Sequence, residues 1–149
     1  MRARKLFIEI TVALLVILFL HTAISKFLDF KGFVFDLNNQ PFPNSFTPYM
    51  AWIIPLTEIA IVGCLLFENS RLVGLYASLF LMTMFTVYTS LVLLNFFDYV
   101  PCSCGGVVKY LNWTQHFFFN FFFVVITAAA ILFRNNKNSD KLTFYGTEK

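Results

Sequence analysis

LFIEITVALLVILFLHTAISKFL, residues Leu6–Leu28, decides the fold. An α-helix rises 1.5 Å per residue, so about 20 mostly apolar residues cross the hydrocarbon core of a bilayer. The stretch is long enough to do so, and its only ionisable side chains are Glu9, His21 and Lys26. Three further stretches repeat the pattern, from about Tyr49 to Phe67, from about Leu72 to Phe97 and from about Thr114 to Phe133. The breaks between them are punctuated by turn formers: Pro41, Pro43 and Pro48 with Asn38, Asn39 and Asn44, then Glu68-Asn-Ser-Arg71, then Pro101 with Gly105 and Gly106. The expected fold class is therefore all-α, an integral membrane four-helix bundle over residues 1–133, followed by a polar tail over 134–149.

Composition agrees. Of 149 residues, 58% are hydrophobic and 13% charged, the latter about half the usual share of a soluble domain. A water-soluble fold of this length could not hide so much apolar surface. The phenylalanine tract Phe117–Phe123, broken only by Asn120, suits a lipid-facing helix. A net charge of +3 with no basic patch apart from the helix flanks argues against a nucleic-acid partner.

Basic residues set the expected orientation. With the N-terminus cytoplasmic, Arg2, Arg4, Lys5, Arg71, Arg134, Lys137, Lys141 and Lys149 lie inside, and only Lys26, Lys31 and Lys109 lie outside. That asymmetry obeys the positive-inside rule and puts both termini in the cytoplasm. Trp52, Tyr99, Tyr110 and Trp113 then fall near the outer ends of spans, where aromatic belts sit. Met1–Ser25 also has features of a cleaved signal peptide, but Glu9 interrupts the start of the apolar stretch, which is long for a signal. The long first loop, Asp29–Thr47, carries Phe30, Phe33, Phe35, Phe42 and Phe46. It predicts a short interfacial helix around Phe30–Leu37 that roofs the outer end of the bundle.

The third loop contains Cys102-Ser-Cys104 between Pro101 and Gly105-Gly106. On an oxidising outer face, thiols one residue apart can close into a disulfide, provided a turn brings their Cα atoms within about 7 Å. Proline and the paired glycines supply turn chemistry. So small a ring is strained and removes little chain entropy, which favours electron exchange over stapling. The plainer reading is that both are incidental loop residues. A metal clip through His116 lacks a fourth ligand, so no metal site is read. Cys64 lies deep in the second span and reads as a packing residue.

Ionisable groups inside a membrane are functional candidates. His21 and Glu58 differ by about 6 Å in depth and are expected to point inward as a pair. Lys26 is expected to snorkel to the outer interface, and Glu9 to reach water or Arg4. Gln115, His116 and Asn120 open the fourth span and either line the same outer pocket or cap and pack. A pocket of His21, Lys26, Glu58, Gln115, His116 and Asn120 could serve protons or a quinone head group; the plainer alternative is a polar clamp that fixes packing. No other cofactor signature is present, and His21 with His116 is a weak pattern for haem.

The run Ile17-Leu-Phe-Leu-His-Thr-Ala-Ile-Ser-Lys-Phe-Leu-Asp-Phe30 resembles the first helix of DoxX-like proteins, and Glu58 within Ile54-Pro-Leu-Thr-Glu-Ile-Ala60 resembles the glutamate of their second. Cys102-Ser-Cys-Gly-Gly106, followed by Trp113 and Asn120, is similar to the MauE branch of that superfamily. Two positions depart from the MauE pattern: Gly105 where it has an aromatic, and Phe119 where it has an arginine. The resemblance implies a four-helix protein of a bacterial inner membrane linked to redox chemistry, with MauE itself associated with methylamine utilisation and disulfide maturation of a periplasmic dehydrogenase. The reading that follows is a thiol–disulfide redox protein with Cys102 and Cys104 as the reacting pair and a periplasmic thioredoxin-like partner. A non-catalytic anchor or assembly subunit of a respiratory or quinone-linked complex is the rival.

Overall fold

Inside a bilayer a backbone has no water to bond, so an apolar span must satisfy its own N–H and C=O groups as a helix. The computed structural model describes residues 2–41, 43–96 and 112–146, with side chains as far as residue 134. The helices are α1 (Arg2–Leu28), α2 (Phe30–Asn38), α3 (Thr47–Leu66), α4 (Arg71–Leu93) and α5 (Trp113–Gly146), with a 3-10 turn at Asn44–Phe46 before α3. No strand occurs among the described residues. All but α2 are long and apolar enough to cross a membrane, so the chain is a multi-pass membrane protein, with four spans among the described residues. They match the expected spans, except that α4 ends at Leu93 and not at about Phe97, the chain turning at Leu94–Asn95 with Asn95 at φ 51°. α1 starts earlier, at Arg2, and α5 runs on to Gly146, beyond the apolar stretch.

α1 packs against α3 and α5, and α4 packs against the same two. α1 and α4 are therefore diagonal in the bundle, as are α3 and α5. Val12, Leu15 and Phe19 of α1 meet Ile61, Val62 and Leu65 of α3, Leu75 and Met82 of α4, and Phe123 and Ile131 of α5 in one continuous core. The outward faces are as apolar as the core: Ile17, Phe80 and Phe118 are 65%, 69% and 64% exposed. In water such a surface would drive aggregation, whereas in lipid it is simply solvated.

α3 and α4 join through a tight turn whose side chains finish the end of α3. Ser70 Oγ donates to the Cys64 carbonyl at 3.0 Å, and Arg71 Nε donates to the Leu65 carbonyl at 3.2 Å. These satisfy carbonyls that the last helical turn leaves without amide partners. Arg71 Nη1 also reaches Glu9 at 2.9 Å. Of the two expectations for Glu9, water or Arg4, the second is corrected: its side chain is 44% exposed and its cation is Arg71, while Arg4 sits over the Phe133 ring, 5.9 Å from its centroid. The short turn delivers the Arg71 guanidinium across the end of the bundle.

The same turn forces α4 close to α3. A Cβ on Gly74 would lie 2.9 Å from the Leu65 backbone nitrogen and 3.1 Å from the Cys64 carbonyl carbon, whereas one on Gly63 would meet nothing within 4 Å. Gly74→Ala should therefore lower stability by about 1–3 kcal/mol. Gly63→Ala should be neutral, or stabilising by up to about 1 kcal/mol through helix propensity. Thermal midpoints in mild detergent compare the two; equal effects would contradict the close approach.

At the other end of the bundle α2 is present close to where the first loop predicts it. Asp29 caps it, accepting the Gly32 N–H at 3.1 Å. Phe33 and Leu37 are buried with Ala51 of α3. Trp52 lies against Phe27 and Phe30, with ring centroids 6.2 and 5.1 Å apart. α2 thus lies on the helix ends as a roof and is not free in solvent.

Candidate functional site

The phase of α1 decides what lies beneath that roof. Its buried residues Val12, Leu15, Phe19, Ala23 and Lys26 step by three or four, so they share one face. Lys26 continues that inward face. His21 falls between Phe19 and Ala23 in sequence and so projects from the opposite side, where it is exposed. On α3 the same stepping runs through Ala51, Pro55, Glu58, Val62 and Leu65. Pro55 has no N–H to give the Ala51 carbonyl, a disruption that transmembrane helices tolerate.

Two expectations are corrected here. Glu58 points inward, but its partner is Lys26 and not His21: Lys26 Nζ stands 2.8 Å from Oε1 and 3.1 Å from Oε2. Lys26 does not snorkel outward, because its ammonium is turned into the bundle, with side-chain exposures of 9% for Lys26 and 3% for Glu58. A longer contact of 3.4 Å runs from Nζ to the Thr22 carbonyl, and the Phe33 ring lies 5.7 Å away. An isolated charge near the middle of a span costs about 3 kcal/mol on insertion scales, which explains why the two are found together.

Beside the pair is a cavity of about 400 Å³, largely apolar, between the four spans and α2. Lys26 and Glu58 supply polar groups from α1 and α3. From α5 come His116 and Asn120, one turn apart on the helix diagonal to α3. The Asn120 amide makes no hydrogen bond among the described residues. Tyr88 of α4 donates to Gln40, just past the end of α2, whose Nε2 donates to the Asp36 carbonyl at 3.0 Å. Trp113 lies between Tyr88 and His116, edge-on to the first at 6.3 Å and tilted to the second at 6.1 Å. Met84 lines the cavity from α4 and is 56% exposed on the bundle surface.

Of the residues expected to share a pocket, the fold gathers Lys26, Glu58, His116 and Asn120. It leaves out His21, on the outer face, and Gln115, which is exposed and caps α5. Gln115 Oε1 accepts the Asn112 N–H at 3.0 Å while Asn112 Oδ1 accepts the Gln115 N–H at 2.9 Å, a reciprocal cap. Gln40 and Tyr88 belong to the cavity without any sequence signal. The first sits in a stretch that reads as irregular loop, the second in an apolar span.

Cys102 and Cys104 lie outside the described residues. The helices that flank them are described: α4 ends at Leu93 and α5 begins at Trp113, both at the cavity end. Cys64 is half-buried near the C-terminus of α3, at the opposite end.

Comparison with known families places the chain. The family model described as Methylamine utilisation protein MauE matches residues 4–133. No curated protein and no solved structure matches the chain significantly.

Proposed function

The chain belongs to the MauE family of methylamine utilisation proteins, and from that premise we propose that it is a membrane thiol–disulfide redox protein. Its Cys102-Ser-Cys104 segment exchanges electrons with a periplasmic thioredoxin-like partner across the outer face of a bacterial inner membrane. The observation that carries the reading is connectivity. The segment is tied at both ends to the α2-roofed end of the bundle, the end that the basic-residue asymmetry turns outward.

The exchange balances within the two proteins. In the oxidising direction for the partner's dithiol, a partner thiolate attacks one sulfur of a Cys102–Cys104 disulfide. A mixed disulfide forms and the other loop cysteine leaves as thiolate. The partner's second thiol then attacks the mixed disulfide. The partner leaves oxidised and the loop is left as a dithiol, two electrons richer. The reverse sequence moves the same pair of electrons outward.

A single-cysteine variant has no loop disulfide, but its remaining thiolate can attack the partner's disulfide, and with no second loop thiol to resolve the adduct the mixed disulfide should accumulate. In cells carrying Cys102→Ser or Cys104→Ser, quenched with acid and alkylated, one variant should yield a reductant-sensitive adduct with a periplasmic protein bearing a Cys-x-x-Cys motif. The double variant should yield none. Absence of an adduct from both single variants would favour the rival reading, a non-catalytic anchor or assembly subunit.

A further inference from the structure

We infer that the cavity beside Lys26 and Glu58 binds the ring of an isoprenoid quinone. The inference concerns binding at this cavity and does not depend on the chemistry of the loop cysteines.

Volume comes first: about 400 Å³ lies within the range of small-molecule sites. Shape and wall chemistry come next. Phe19, Phe33, Phe85, Trp113 and Phe119 surround the space, and aromatic faces and edges favour a flat conjugated ring. The polar groups then select what the ring must carry. The Asn120 amide is unpartnered among the described residues and faces an apolar cavity within a span. An amide in such a place is stabilised by a ligand that supplies hydrogen-bonding atoms. On the wall formed by α1 and α3, the Lys26 ammonium carries three protons, and its contact to the Thr22 carbonyl is long at 3.4 Å.

A quinone has carbonyl acceptors on opposite edges of one flat ring. That arrangement suits one donor from α5 and another from the wall that α1 and α3 form. A fatty acid or lipid tail would leave the Asn120 amide unsatisfied, and a fatty-acid carboxylate would have to sit beside Glu58. Met84 both lines the cavity and is exposed on α4, so a prenyl tail would pass into lipid beside it while the ring stays inside.

The test uses the full-length protein in mild detergent carrying Trp52→Phe, so that tryptophan emission reports on Trp113 in the cavity wall. The probes are ubiquinone-2 and menaquinone-2, with oleate as the competing apolar ligand. Saturable quenching by at least one quinone at micromolar concentration is expected, resistant to equimolar oleate. Asn120→Leu, nearly isosteric and compatible with a lipid-exposed fold, should weaken binding roughly tenfold while leaving helix content and elution volume unchanged. Cys102→Ser with Cys104→Ser should bind as the parent does, which separates this result from the fate of the redox reading. Quenching that never saturates, displacement of the quinone by oleate, or an affinity untouched by Asn120→Leu would each overturn the assignment.

Discussion

Lys26→Met should destabilise the bundle by about 3–5 kcal/mol, because it leaves the Glu58 carboxylate buried with no counter-charge. Replacing both residues, Lys26→Met with Glu58→Leu, should restore most of that loss. An apolar pair of similar volume is commonly neutral or better in a buried site, since it removes the desolvation of two charges together with their attraction. Glu58→Gln should fall between the extremes, since an amide oxygen can still accept from Nζ. Unfolding midpoints in mild detergent measure the four proteins side by side. The geometry behind the expectation is specific: two Nζ–carboxylate contacts at 2.8 and 3.1 Å, with both side chains almost fully enclosed. If the single and double replacements behave alike, the pair does not hold α1 against α3.

A pair that a hydrophobic substitution could replace at little energetic loss is weak support for a role in stability alone. Its position at a cavity wall favours a role in binding. The double replacement is therefore informative twice: it should fold, and it should lose quinone affinity along with the charges.

The spans were legible because hydropathy is a local property: about 20 apolar residues in a row admit few structures. α2 was legible for a related reason, since a loop rich in phenylalanine beside a span has apolar side chains that must lie at the interface. The facing of α1 was not legible. Almost every residue from Ile10 to Leu20 is apolar, so no polar stripe reveals which side turns outward, and His21 and Lys26 are assigned by depth alone. Depth brought Glu58 and His21 together on paper. Helical phase separates them, because only Lys26 continues the face of Phe19 and Ala23. Gln115 was misleading in another way, since a polar residue in the first turn of a helix serves the cap as readily as a pocket. Gln40 and Tyr88 meet from distant parts of the chain, and nothing local announces such a contact. Arg71 gave no sign of reaching Glu9, which depends on the tight α3–α4 turn.

The largest functional effect should come from the loop. Replacing Cys102 and Cys104 together with serine should abolish thiol–disulfide exchange, a loss of at least about 100-fold, because serine offers no sulfur for attack and no thiol–disulfide couple. Cys64→Ala should leave exchange unchanged, since Cys64 sits near the far end of α3, half-buried among apolar neighbours. An anchoring or assembly subunit would function normally without either loop cysteine, so the two readings part at this variant. The underlying property can be measured without knowing the partner. The purified protein is equilibrated in glutathione buffers of graded potential, quenched with acid and alkylated, and its mass is read residue by residue. The account predicts that Cys102 and Cys104 lose and regain their alkylation together, as one two-electron couple within the range of thioredoxin-fold proteins, roughly −270 to −120 mV, while Cys64 stays a thiol throughout. Independent modification of the two, each forming its own adduct with glutathione and never a bond with the other, would contradict it.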